Sequence, residues 1–196
     1  MATFWDRAVS NRKLAVKKMQ KFIPFYDYSD KQMALVTNDK FCKLFLERLK
    51  SLNSMLFNIV NTSYELGMEG NEELNAFQRM RDEMDIFIDE IKVMHVEWNK
   101  NMPQKWLEKL IEHDLSLIKD TDGLFESLED ILENITSDKE SNKEFWEKVA
   151  KDAFNAEEQI DGIVRMFMER DAICNLKPLS FEKVFKAAQK EISEKI

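Results

Sequence analysis

From Phe77 to Ile135 apolar residues recur at alternating steps of three and four, and this pattern constrains the fold more than any other feature of the chain. Phe77, Met80, Met84, Phe87, Ile91, Met94 and Trp98 form the first part. Leu107, Leu110, Leu117, Leu124, Leu128, Ile131 and Ile135 form the second, with polar residues at two intervening positions. Such spacing puts every one of these side chains on one face of a helix packed against partner helices. Pro103 divides the two parts. If Asn71 to Thr136 is one bent helix, it is about 100 Å long at 1.5 Å per residue. If Pro103 instead opens a new helix that folds back, the chain is a compact bundle. Asp120-Thr121-Asp122-Gly123 is a second candidate break, but the apolar spacing crosses it without a phase shift, so the helix is expected to continue.

The flanking stretches carry the same period. Thr3-x-x-Asp6 fits a helix start, followed by Trp5, Ala8, Val9, Ala15, Val16, Met19, Phe22 and Ile23 on one face. Pro24 ends that helix by disfavouring helical backbone at the residue before it, and Phe25-Tyr26-Asp27-Tyr28 forms an aromatic connector. Ser29-x-x-Gln32 reads as a capping box opening a helix with Cys42, Phe45, Leu49, Leu52, Leu56, Ile59, Ser63 and Leu66 in heptad register. Gly67 and Gly70 stop it, and Asn71 caps its successor. Capping boxes at Ser137 and Ser141 precede Trp146, Val149, Ala153, Ala156, Ile160, Ile163 and Phe167. Beyond Pro178, the residues Phe181, Val184, Phe185, Ala188 and Ile192 predict a last amphipathic helix.

The expected fold is therefore all-α, in a single domain over 1–196. The basic helix at 3–23 leads into long helical segments at 29–68, 71–136 and 140–196. Counted with that helix, the chain falls into thirds at 3–68, 71–136 and 140–196, each interrupted once by a proline. The matched lengths favour an elongated antiparallel bundle or coiled coil of three long proline-kinked helices. The alternative is a compact five- to six-helix bundle.

Charge narrows the function classes. The formal charge is −8, but residues 3–23 carry six cations against one acid, a net +5, leaving −13 for the rest. A basic arm on an acidic body does not resemble a nucleic-acid-binding domain, which is basic over a broad face. No apolar run is long enough for a membrane span, and the N-terminus lacks a secretory h-region. Cys42 and Cys174 both fall on apolar stripes and read as core residues in a reducing compartment rather than a disulfide. The expected location is cytoplasmic, with peripheral membrane association.

Chemistry-bearing patterns are sparse. No Glu-x-x-His pair accompanies His95 or His113, the cysteines lack zinc-site spacing, and four scattered glycines supply no phosphate-binding loop. His113 lies between Glu112 and Asp114, whose side chains point to different helix faces. No catalytic residue, cofactor or metal is expected, and the chain reads as non-enzymatic. The methionines of the Phe77–Trp98 stretch read as packing.

The sharpest functional signal is the basic amphipathic segment. Its lysines and arginine, Arg12, Lys13, Lys17, Lys18 and Lys21, suit anionic headgroups, and Phe4 and Trp5 suit an apolar wedge. The competing expectation is that its apolar face completes the bundle while its charges pair with the acidic body.

The segment from Arg7 to Lys21 followed by Asp27 and Asp30, and the late break Leu176-Lys177-Pro178-Leu179, resemble the BAR-domain superfamily in layout. That resemblance covers nearly the whole chain as architecture, without a diagnostic motif. It implies a crescent-shaped homodimer that binds and bends membranes through cationic patches. One departure bears on function: the turn expected near 137–141 is acidic where such proteins carry cations, and residues 120–144 hold nine acids against two lysines. Lipid contact would then fall to 3–23 or to scattered cations such as Lys92, Lys100, Lys105 and Lys109. The alternative function is a soluble helical-bundle adaptor or chaperone binding a protein partner.

Overall fold

The computed structural model describes residues 13–29, 31–66, 72–94, 102, 104–137 and 143–175. Several expected features lie outside them: the Thr3 helix start with Phe4, Trp5 and Arg12, the stops at Gly67 and Gly70, and the Asn71 cap. So do His95, Trp98, Lys100, Pro103, the Ser141 capping box, and the Pro178 break with its following helix. Helix α1 includes residues 13–19, and it is followed by α2 (Lys31–Glu65), α3 (Glu72–Val93), α4 (Gln104–Ser137) and α5 (Lys143–Cys174). No strand occurs among the described residues, and the fold is all-α.

Two compact units share the chain. Unit 1 is drawn from Met1–Asn38, His95–Leu115 and Phe167–Ile196, and unit 2 from Asp39–Met94 and Ser116–Met166.

Within unit 2 the heptad stripes make the core. Phe45, Leu49, Leu52, Leu56 and Ile59 of α2, Phe77, Met80, Met84, Phe87 and Ile91 of α3, and Leu117, Leu124, Leu128, Ile131 and Ile135 of α4 are all buried. Val149, Ala153, Ala156, Ile160 and Ile163 of α5 join them. Burying each large side chain contributes roughly 1.5–3 kcal/mol, enough to fix which face of each helix turns inward. Helices α2 and α3 run antiparallel. The Phe45 and Phe87 rings meet edge-on at 6.4 Å, Asn53 Nδ2 donates to Asp85 Oδ1 at 2.6 Å, and Arg81 sits 5.0 Å over the Phe57 ring. Arg48 pairs with Asp122 between α2 and α4. Lys148 Nζ donates to Asn134 Oδ1 at 3.0 Å between α5 and α4.

Helix α4 passes through Asp120-Thr121-Asp122-Gly123 without interruption, as the unbroken apolar phase predicts. Thr121 is buried at a stripe position and satisfies its hydroxyl by donating to its own helix, at 2.9 Å from the Leu117 and Ile118 carbonyls. Ser63 does the same to Ile59 at 2.7 Å. Such back-bonding lets a short hydroxyl side chain sit in a helical core without a partner on another helix.

The Asn71–Thr136 stretch differs from the expected bent helix. Helix α3 ends at Val93, and Met94 and Met102 both stand outside helix, so Asn71 to Thr136 is not one continuous bent helix. Met102 precedes Pro103, whose ring carbon crowds the preceding residue out of the α region. In the first third, the helical turns before Pro24 are likewise separated from α2 by an irregular connector at 26–28. Three smaller expectations also differ. Phe145 is buried where Trp146 was expected, Leu66 is exposed past the end of α2, and Phe22 is 40% exposed. Cys42 is half-buried and Cys174 buried, and no disulfide joins them.

Candidate functional site

Unit 1 is built around charge. The two polar interruptions of the α4 stripe are Asp114 and Thr121, and Asp114 is 0% exposed. The α5 stripe, continued one step past Phe167, reaches Arg170, which is 1% exposed. The two meet: Arg170 Nε donates to Asp114 Oδ1 at 2.5 Å. Opposite charges bring each other's buried charge close to neutrality, and each such ion would otherwise cost several kcal/mol to desolvate.

The aromatic connector adds further hydrogen bonds to this pair. Tyr26 and Tyr28 hydroxyls both donate to Asp114 Oδ2 at 2.7 Å, and Arg170 Nη2 donates to the Tyr28 hydroxyl at 3.2 Å. The two rings meet edge-on with centroids 5.1 Å apart. Burial first, and then the adjacent Asp114 charge, push both phenol groups well above the ordinary tyrosine range, so both stay protonated donors. The two tyrosines, two positions apart, are both buried, while Asp27 between them is half-buried. The Asp27 backbone ties down to α2, its N–H donating to Thr37 Oγ1 at 3.1 Å while the Thr37 hydroxyl donates to the Asp27 carbonyl at 2.8 Å. The Asp27 side chain accepts from the Ser29 N–H and hydroxyl, both at 2.8 Å.

Around this centre, Cys174 Sγ lies 3.9 Å from Asn38 Oδ1, a weak thiol contact. His113 Nε2 is buried without a hydrogen bond, 3.4 Å from Glu169 Oε2, and Lys109 Nζ lies 3.6 Å from the same oxygen. Burial pushes the His113 imidazole below its ordinary range, against the opposing pull of Glu169. As expected of their helix faces, Glu112 is exposed and Asp114 buried. Among the described residues, no group of three His, Cys, Asp or Glu side chains is arranged to hold a metal ion.

A centre this closed has no exposed reactive atom. Asp114 spends one oxygen on the guanidinium and the other on two hydroxyls. What the network does is hold one end of the connector, and that connector carries the basic segment.

Residues 13–25 place some side chains inside and others outside, with Ala15 and Val16 half-buried and Phe22 exposed. Met19 and Ile23 are buried in the unit 1 core, continuing into Tyr26. Lys13, Lys17, Lys18 and Lys21 are all exposed, as are Leu14 at 53% and Phe25 at 78%. No acid occurs between Lys13 and Tyr26. The chain bends at Pro24 and Phe25, where Tyr26 N–H donates to the Ile23 carbonyl at 3.1 Å and Gln20 Nε2 to the Tyr26 carbonyl at 3.4 Å. Phe25 holds a φ of 61°, the left-handed region that glycine or asparagine normally occupies.

Four of the seven residues expected to bind a membrane or partner, Lys13, Lys17, Lys18 and Lys21, thus share one exposed segment. Phe4, Trp5 and Arg12 lie outside the described residues. Elsewhere, Lys92 pairs with Asp89 at 2.7 Å and Lys109 approaches Glu169, so these two cations are engaged within the fold. Sequence reasoning missed the Asp114–Arg170 centre and its two tyrosines. The available signal was a charged residue at a stripe position in each of two helices, preceded by paired tyrosines two apart. No helix among the described residues is long and apolar enough to cross a membrane. Comparison with known protein families, curated proteins and solved structures gave no match.

Proposed function

We propose that this chain is a non-enzymatic helical scaffold that associates peripherally with anionic membrane surfaces. The observation that carries the reading is the exposed run of Lys13, Lys17, Lys18 and Lys21 with no intervening acid, beside exposed Leu14. Each lysine near an anionic lipid surface contributes roughly 1 kcal/mol, a contribution that salt screens. The rest of the chain, being acidic, directs that attraction to one edge.

The reading extends to a BAR-like elongated homodimer in the cytoplasm. Helices of 35, 34 and 32 residues support it, each about 50 Å long at 1.5 Å per residue. Small-angle scattering with sedimentation equilibrium tests that part. A compact monomer removes the dimeric scaffold and leaves the basic edge to be judged separately.

The membrane reading is tested by co-sedimentation with vesicles containing phosphatidylserine. Wild-type protein is expected to bind at low salt and to release at high salt. The triple substitution Lys17→Glu, Lys18→Glu, Lys21→Glu is expected to abolish binding while leaving the melting temperature nearly unchanged, because all three side chains are exposed. Absence of wild-type binding ends the reading. Deleting the whole segment is a poorer probe, since it strips Met19 and Ile23 from the core.

A second reading, a soluble adaptor for a protein partner, draws on Phe57 and Tyr64. They are exposed one heptad apart on α2. Pull-down with Phe57→Ser, Tyr64→Ser as the control addresses it.

A further inference from the structure

We infer that Phe25 is an apolar tip that enters the boundary between headgroups and acyl chains of an anionic bilayer, while Lys17, Lys18 and Lys21 engage the headgroups. The inference rests on the membrane reading above and adds to it a residue, a depth and an orientation. Three observations meet at this position. Phe25 is the most exposed large apolar side chain among the described residues, at 78%. It occupies left-handed backbone at a φ of 61°, a conformation that disfavours any side chain with a Cβ. And the next residue, Tyr26, is buried and fastened to Asp114, so the strained turn is held in place from inside the unit.

A chain selected for stability alone would place glycine at this turn. A phenylalanine there costs backbone strain and leaves an aromatic ring in water, two losses with no return in the folded molecule itself. Strain of this kind persists where the surrounding structure enforces it and the side chain serves an external contact. Charge selects the contact. The exposed side chains between Lys13 and Phe25 include four lysines, Leu14 and Phe22, and no acid lies between Lys13 and Tyr26. Lysines tolerate the diffuse, laterally mobile negative charge of a lipid surface. A short aromatic tip reaches past them into the apolar boundary.

The test compares Phe25→Gly, Phe25→Ala and Phe25→Trp in the full chain, using phosphatidylserine vesicles and thermal unfolding. Phe25→Gly is expected to weaken vesicle binding by about tenfold and to raise the melting temperature by about 2–6 °C. Phe25→Ala is expected to weaken binding equally without that gain, because it keeps a Cβ in left-handed backbone. Phe25→Trp is expected to retain binding. If Phe25→Gly binds like the wild type while the triple lysine substitution does not bind, the tip is overturned and the membrane reading stands. A fall in melting temperature for Phe25→Gly overturns it as well, by showing that the ring packs within the fold. If the wild type ignores vesicles but binds polyglutamate, the edge serves an acidic protein and both readings fall.

Discussion

Units 1 and 2 solve the problem of a buried polar group in opposite ways. In unit 2, Thr121 and Ser63 sit on heptad positions and return their hydroxyls to carbonyls of their own helices. In unit 1, Asp114 and Arg170 sit on equivalent positions and are satisfied by one another and by two tyrosines from a separate stretch of chain. The local solution leaves the helix free to slide or rotate as far as apolar packing allows. The long-range solution works at one register alone, because any slip leaves a buried charge without its partner. Unit 2 therefore owes its stability to apolar packing, whereas unit 1 owes its geometry to a polar network. That geometry fixes the connector carrying the basic segment.

The largest test of this contrast removes one charge from the network. Asp114→Ala removes the carboxylate that faces the buried Arg170 guanidinium and is expected to cost about 3–5 kcal/mol in denaturant unfolding. Replacing both residues, Asp114→Leu with Arg170→Met, is expected to recover most of that loss. A double variant as unstable as the single one would show that the network stabilises beyond pairing its own charges.

Alkaline unfolding comes next. Tyr26 and Tyr28 have raised folded-state values, so above the ordinary tyrosine range the unfolded chain releases protons that the folded chain retains. Their contribution is fully present below about pH 10 and is lost as pH rises beyond it, by about 1.4 kcal/mol per pH unit for each tyrosine. Tyr26→Phe with Tyr28→Phe is expected to flatten that slope, as followed by denaturant titrations at several pH values. An unchanged slope would mean that the phenols are not buried donors.

Unit 2 supplies the smaller effects. A Cβ added at Gly123 meets nothing within 4 Å, so Gly123→Ala in the middle of α4 is expected to stabilise by about 0.5–1 kcal/mol. Thr121→Val removes a buried hydroxyl bonded only to its own helix, and a change within about 0.5 kcal/mol is expected. A loss as large as that of Asp114→Ala would erase the distinction between the two units.

Much of the helical framework was legible in the residues. The stripes on α2 through α5 are buried nearly as spaced, since burying one apolar face at a period near 3.6 is a local property that any packed helix must satisfy. Continuity through Gly123 followed from the same phase. The break was harder: the apolar step that runs to Trp98 returns at Leu107, while Met94 and Met102 stand outside helix. Within the basic segment, the lysines were legible as a charged run. The exposure of Phe25 was not, since an aromatic in an aromatic-rich connector carries no mark of which way it faces.

By itself, then, the sequence determined the all-α class, the inward faces of the helices and the placement of positive charge at one end of the chain. These follow from composition and period. Tertiary structure alone decided that Asp114, Arg170, Tyr26 and Tyr28 meet, because their separations of 56 to 142 residues are bridged only when two helices and a connector pack together. It also decided that Phe25 turns out beside the buried Tyr26. The physical reason is the same in both cases: a buried charge must find its partner, and the chain around that partner takes whatever backbone the pairing requires, including a phenylalanine in left-handed conformation.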